Sequence, residues 1–346
     1  MTETTPTWWQ QLQAGLDEAG AALWGAVDVE EVVASHEWHD VCVRLDAWLA
    51  EGNHGQMHWL AREEAVATRM DPRTRYPWIR SALAVAFTYD TLQGRDAAVS
   101  LGEGVVEPAE RGRAKISRYA HGVDYHWLLG KRLLRLVKQV GRAHPGVQLR
   151  YYLDTGPVLE RQWAERAGLG WLGKNGLLLH PQLGSYFFLS VIFCSEPTPE
   201  EARRPRVPDR CGTCTRCIEA CPTDALAYDG SGKLDARRCL SYLTIEARNE
   251  PASELLAEHH HGWLFGCDIC QQVCPWTRKA PLTQTTEFEP WEVYESLTPQ
   301  QFAQQSAELF RQRFRKSPLW RPGQQKLNAT LGLLAPTRSD SDNSTT

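Results

Sequence analysis

The stretch CGTCTRCIEACP, Cys211 to Pro222, carries four thiols at the spacing C-x2-C-x2-C-x3-C-P. Thiolates at that spacing hold three corners of a [4Fe–4S] cluster, and the fourth cysteine turns away to serve a second cluster. A second run, GCDICQQVCP, supplies Cys267, Cys270, Cys274 and Pro275, with Leu264 where a first cysteine would stand. By the same rule Cys274 returns to join Cys211, Cys214 and Cys217. Cys221, Cys267 and Cys270 are then one thiolate short. Three cysteines remain, Cys42, Cys194 and Cys239, and only Cys239 lies between the two runs. It is the expected eighth ligand; Cys42 and Cys194 read as small buried hydrophobes. Two C-x2-C pairs also suit a zinc ribbon, but zinc does not account for eight cysteines with two Cys-Pro endings. Two four-iron clusters mean one-electron transfer and leave the reaction open.

The remaining elements must hold those clusters and give them a task. The chain has 346 residues, 42% of them hydrophobic, and a net charge of −4. That is enough for two domains with a large core. Charge is uneven. Residues 131–150 and 311–326 each hold six Lys or Arg and no acid. Each run suits a solvated helix face or a phosphate-binding surface. The start, MTETTPTWWQQLQAG, lacks the basic and apolar blocks of a signal peptide, and no run approaches the ~20 apolar residues of a membrane span. The reading is a cytoplasmic protein, where clustered cysteines more often hold metal than form disulfides.

The first ~200 residues alternate helical and strand patterns. SALAVAFTYD (Ser81–Asp90) and VQLRYYLD (Val147–Asp154) read as strands. Residues 127–142 place Leu129, Leu133, Leu136, Val137 and Val140 on one helix face. TGPVLERQWAERAGLG reads as a helix opened by Gly-Pro and closed by Gly. GLLLHPQLGSYFFLSVIF reads as a strand pair around HPQLG. SEPTPEEARRPRVPDR (Ser195–Arg210) is a proline-rich linker. Beyond about 285 the chain reads as helical, with TPQQFAQQSAELFRQRFRK the clearest segment, and 336–346 as a disordered tail.

Three more stretches carry an identity. They are GRAKISRYAHGVDYHWLLGKRL (Gly112–Leu133), YLDTGPVLERQWAERAGLGWLGKNGLLLHPQLGSYFFL (Tyr152–Leu189) and RRCLSYLTIE around Cys239. With the cysteine runs they closely resemble the epoxyqueuosine reductase family, over almost the entire chain. The resemblance implies a cobalamin-dependent enzyme with two [4Fe–4S] clusters. Such an enzyme reduces the epoxide of epoxyqueuosine, at the tRNA wobble position, to queuosine. It implies an α/β (α+β) cobalamin-binding domain resembling reductive dehalogenases over 1–205. A two-cluster ferredoxin module over 206–285 and a helical segment over 286–335 follow. The expected partners are tRNA carrying epoxyqueuosine and an external electron donor, with no membrane, for a monomeric chain.

Removing an epoxide oxygen as water takes two electrons and two protons, so an acid must meet the departing oxygen. The resemblance places that acid at Asp154 of DTGPVLER, with the raised carboxyl pKa the role needs supplied by burial against the corrin face. On the residues alone, Asp154 reads first as the cap of the next helix. By resemblance Lys174 and Asn175 of GLGWLGKNG, and Arg118 and Tyr119 of SRYAHG, lie against the corrin or substrate. Ser241 falls between cluster and corrin. Their plain readings are a hairpin entry, a surface Arg and a core Tyr. His126 of DYHWLLG approaches the D-x-H-x-x-G pattern of histidine-ligated cobalamin proteins, but Gly130 comes one residue late, so it is not assigned to cobalt. The alternatives are a dehalogenase-like reductase of a small molecule and a plain electron carrier; the carrier would leave the first ~200 residues idle.

Overall fold

The computed structural model of the chain describes residues 6–92, 100–101, 114–248, 254–296 and 298–334. The tail 336–346 lies outside the described residues. Strand β2 (Ser81–Thr88) is apolar at nearly every position because both of its faces are covered. It pairs with β1 (Leu23–Asp28) on one side and β5 (Phe187–Cys194) on the other, and β4 (Leu149–Tyr152) lies beyond β5. Every pairing in this sheet is antiparallel, so the α+β form of the expected class is the one present.

Side chains alternate between the faces of β2. Leu83, Val85 and Phe87 pack with Leu12 and Leu16 of α1 (Trp8–Ala19) and with Leu129, Leu133 and Leu136 of α2 (Tyr125–Ala143). On the other face Ala84 and Ala86 are small, and Ala164 of α3 (Glu160–Arg166) comes in against them. Asp124 starts α2 by accepting the His126 backbone N–H at 2.9 Å, so the helix opens two residues before its apolar stripe.

Helix α3 begins at Glu160, later than the Gly-Pro pair suggests. Asp154 adopts a left-handed φ of +61°, and the Thr155 N–H returns to the Leu153 carbonyl at 2.7 Å. The chain turns back so tightly that a Cβ at Gly156 would overlap the Tyr152 ring. The residues around HPQLG also differ from expectation. Leu178–Leu179 pairs with Trp171–Leu172, while Phe187–Cys194 joins the main sheet. The segment 298–316 is two helices, Pro299–Ala303 and α5 (Ala307–Phe314), because the Ser306 hydroxyl accepts the Leu309 N–H and opens a new helix.

The cysteine region is stitched to the first part of the chain. Strand β3 (Ala114–Ile116) pairs in parallel with β6 (Trp263–Phe265). Leu264 and Phe265 then pack among Tyr294, Phe302, Phe310 and Phe314. Among the described residues no helix is long and apolar enough to cross a membrane.

Candidate active site

The thiols fall into two groups. Cys211, Cys214, Cys217 and Cys274 line one cavity, with Lys174 and Trp276 in its wall. The Trp171 indole N–H points at the Cys211 sulphur from 3.4 Å. In the second group burial raises the thiol pKa of Cys239, Cys267 and Cys270. Cys239 also feels the charge of Cys221, Cys267 feels Cys239 and Cys221, and Cys270 feels Cys267 and Cys239. Cys270 feels Cys217 as well, so the groups are neighbours. Helix α4 (Leu240–Ile245) begins just after Cys239, and the Ser241 and Tyr242 N–H groups face its sulphur. The Ala225 N–H reaches the Cys221 sulphur at 3.3 Å. Such donors stabilise thiolates and tune cluster potentials. Bound iron would deprotonate thiols that burial otherwise keeps neutral. Cys194 is buried in β5, and Cys42 packs beside Trp38. Among the described residues no three His, Cys, Asp or Glu close around a single ion. Two quartets, with N–H donors aimed at their sulphurs, fit two four-iron clusters.

Asp154 is not the cap of α3, which starts six residues later without a side-chain cap. Its carboxylate instead faces the start of α2. Oδ2 accepts the Tyr125 hydroxyl at 2.8 Å and meets His126 Nε2 at 3.1 Å. His126 Nδ1 lies 2.9 Å from Asp124 Oδ1. The Tyr125 ring stacks on Phe188 of β5 at 4.0 Å, which fixes the start of α2 over the sheet. Both ring nitrogens of His126 are thus engaged by carboxylates.

The proton balance differs from expectation. Burial pushes the Asp154 carboxyl up, but the hydrogen bond and charge of His126, the Tyr125 hydroxyl and the Arg321 charge bring it below the usual range. Burial opposes a charge on His126, yet Asp124 and Asp154 raise the imidazole to about 9. The proton of this pair therefore resides on the imidazole at neutral pH. The Asp154 side chain is 53% exposed, so solvent or a substrate reaches it even though burial is the largest single influence on it. Glu160 carries another proton. Burial, and less strongly the charge of Asp154, push it up to about 8, and its Oε1 is buried without a partner.

Glu160 and Arg161, which feel the charge of this carboxylate, open onto the turn beside the first thiol group. The Arg161 guanidinium, beside Glu160, donates to the Gly176 carbonyl. Lys174 of the same turn donates to the Gly212 carbonyl at 2.7 Å, beside Cys211. Lys174 and Asn175 therefore stand at the first quartet, not at Asp154. On the other side, Asp268 lies between Cys267 and Cys270 and is fully enclosed. It accepts the Ser117 hydroxyl and, at 2.8 Å, the Arg118 backbone N–H. Gly266, at φ +72°, permits this approach, since a Cβ there would collide with Ser117. The Arg118 side chain pairs with Asp90 at 2.8 Å and lies 4.7 Å from the Tyr186 ring centre. Tyr119 packs between Phe265 and Tyr125, and burial and then the Asp154 charge raise its hydroxyl pKa. Ser241 is half-buried at the second quartet.

Asn175 Nδ2 and Glu160 Oε1 are buried polar atoms without protein partners. Both lie on the segment between Asp154 and the first quartet. Buried polar atoms seek partners, and cobalamin carries a fringe of amide side chains, so this segment fits it. Tyr125, Glu160, Arg321 and Asp268 were not evident from sequence, and His126 was weighed only as a metal ligand. The signal for Asp268 was its place inside a cysteine run. That for Tyr125 and His126 was a Tyr-His pair opening a strongly amphipathic helix.

Residues 69–155 match the family model described as "Epoxyqueuosine reductase QueG, DUF1730", and residues 210–277 match a 4Fe-4S double cluster binding domain. The chain is 42% identical over 269 residues to an epoxyqueuosine reductase of Gloeobacter violaceus, covering 75% of this chain and 76% of the relative. It is 41% identical over 261 residues to one of Synechocystis sp., covering 75% and 83%. A crystal structure of epoxyqueuosine reductase with an epoxyqueuosine-modified tRNA-Tyr stem loop superposes with a TM-score of 0.78. That match has 25% identity and covers 94% of this chain and 80% of the other. A selenomethionine-labelled epoxyqueuosine reductase superposes equally well, at 0.78 and 25% identity over 95% and 82%. A double-cluster cysteine pattern, an acid at the edge of an α+β sheet and relatives matched over three quarters of the sequence give one answer: the chain belongs to the epoxyqueuosine reductase family.

Proposed function

We propose that the chain reduces the epoxide of epoxyqueuosine at the tRNA wobble position to queuosine, with Asp154 presenting the proton to the departing oxygen. The observation that carries this is the Asp154 carboxylate, open to solvent, held by the Tyr125 hydroxyl and backed by the His126 imidazolium. Cobalamin, when bound, supplies reducing equivalents at carbon, and the clusters supply single electrons. The chain's own residues manage protons and position. Tyr125 holds Asp154 Oδ2; the His126 Nε2 proton moves onto the carboxylate, which hands it to the departing epoxide oxygen and is again ionised, leaving the imidazole neutral. Asp124 holds the imidazole from the other side, and Glu160 retains a second proton at neutral pH. Residues 1–205 hold cobalamin and substrate, with Arg118, Tyr119, Lys174, Asn175 and Ser241 as contacts around them. Residues 206–285 hold the clusters, and 286–335 form a helical segment.

Basic side chains supply a surface for RNA. On α2, Lys131, Arg135, Lys138 and Arg142 are exposed at spacings of four, three and four residues, which is one stripe of a helix. In the second basic run, Arg311 pairs with Glu308, Arg313 with Gln305 and Arg321 with Glu246, while Arg315 and Lys316 are exposed. A cytosolic monomer fed by an external electron donor completes the reading. The test is anaerobic reduction of tRNA from a strain lacking this enzyme, with mass analysis of the nucleosides. Conversion of epoxyqueuosine to queuosine is the expected result, and unchanged epoxyqueuosine with a fully loaded protein would refute it.

A further inference from the structure

The residue after His126 is Trp127, and 46% of its surface is exposed. A lone exposed aromatic needs no explanation, but this one is flanked. The Lys131 ammonium lies 4.7 Å from its ring centre and the Lys316 ammonium 5.1 Å. Those lysines come from the two basic runs, 185 positions apart in sequence. The Asp124 backbone N–H holds the Lys316 carbonyl at 2.7 Å, which ties the second run to the start of α2. Trp127 also heads the basic stripe, one turn before Lys131. A step back along the chain is the imidazole that meets Asp154.

We infer that Trp127 is a stacking platform for a base of the RNA loop that carries the modified nucleotide, the base displacing an ammonium that now lies over the ring and Lys131 and Lys316 turning to the flanking phosphates. An aromatic face beside ammonium groups is the recurrent way to hold single-stranded nucleic acid, because every base offers a π-face and every linkage a negative charge. The acids nearby do not spoil this. Asp124 and Asp154 share the His126 imidazolium, which offsets part of their charge. A base on Trp127 fixes the loop next to the carboxylate, so the platform orients the substrate and takes no part in bond breaking.

This inference rests on the proposed tRNA substrate, and the experiment separates the two. Holoenzyme is titrated with synthetic anticodon stem-loops bearing epoxyqueuosine. One series is intact, and others have a single loop nucleotide made abasic. Trp127→Ala should weaken binding of the intact loop about 5- to 150-fold, the range for one stacked base. Trp127→Phe should restore most of it. One abasic position should weaken wild-type binding and have no further effect on Trp127→Ala. Lys131→Ala with Lys316→Ala should lower the salt slope by about 1.4, for two single-strand contacts. Iron content and absorption spectra should stay at wild-type values throughout. Wild-type affinity in Trp127→Ala, or additive losses at every abasic position, would overturn the platform and leave the substrate intact. Failure of the wild type to bind any such loop would overturn both.

Discussion

Asp154 Oδ2 and His126 Nε2 lie 3.1 Å apart, joining a left-handed turn after one strand to the first turn of a helix 28 residues earlier. The carboxylate and imidazolium each set the other's proton affinity. The imidazole is lifted to about 9 and the carboxyl drops below its usual range. In the proposed reaction the pair acts as a two-residue acid, with the proton one hydrogen bond behind the exposed carboxylate.

Asp154→Asn keeps the shape but no longer relays a proton. It should fold, load both clusters and corrin, and lose ~10²–10⁴-fold in turnover, the usual loss with a general acid. His126→Gln should show a comparable fall with the carboxylate still present. Single-turnover assays on samples of equal iron and cobalt content decide this. Near-normal turnover in His126→Gln would leave the imidazole a merely structural neighbour.

The pair also fixes a pH dependence of stability. The His126 pKa is raised on folding, so its contribution is complete below about 6.5 and disappears as pH rises through about 9. The Asp154 pKa is depressed, so its contribution is present above 3.8 and disappears as pH falls toward the folded value. The stability gap between wild type and His126→Gln should be widest near pH 5–6, on the order of 1–3 kcal/mol, and shrink by pH 10. Urea unfolding under anaerobic conditions measures it, and a gap that stays flat across this range would contradict the assignment.

Cys239→Ala should remove or damage one cluster, because Cys221, Cys267 and Cys270 then have no fourth thiolate. Cys42→Ala and Cys194→Ala should keep eight irons. Iron analysis with electron paramagnetic resonance reports both, and unchanged spectra in Cys239→Ala would assign the ligand elsewhere.

Gly266→Ala puts a methyl group where Ser117 now sits, at a backbone φ of +72°. It should destabilise the fold by ~1–3 kcal/mol through backbone strain and part Asp268 from Ser117 and Arg118. Lower iron retention during unfolding should accompany the stability loss. A variant with wild-type melting would mean that the loop shifts freely.

Neutralising Arg135, Lys138 and Arg142 together should weaken tRNA binding and flatten its salt dependence. Arg311→Ala should do less, since Glu308 already holds that guanidinium at 2.8 Å. Equal effects from the two would remove the distinction between stripe and paired run.

The double-cluster domain was legible because cysteine spacing is local geometry that a sequence states outright. Helix α2 was legible too, since its leucines repeat with one helical period. The partners of Asp154 were not. Tyr125 and His126 meet it only because Phe188 anchors the start of α2 over the sheet, a relation no local pattern encodes. For the same reason the carboxyl was expected above its usual range and lies below it: burial can be guessed from the chain, but not a histidine arriving from another element. Lys174 and Asn175 belonged to a turn whose character was clear and whose neighbour was not. That neighbour is the first quartet.

The pairing of Ile116 with Phe265 also bears on how the protein is made. The two strands are about 150 residues apart, so at ~5–20 residues per second the first waits roughly 8–30 s on the ribosome for the second. Until then β3 offers an unpaired edge, and Ser117 and Arg118 lack the aspartate that orders them. An open strand edge is a template for wrong pairing over that interval, and the second cysteine run, which follows β6, emerges only at its end.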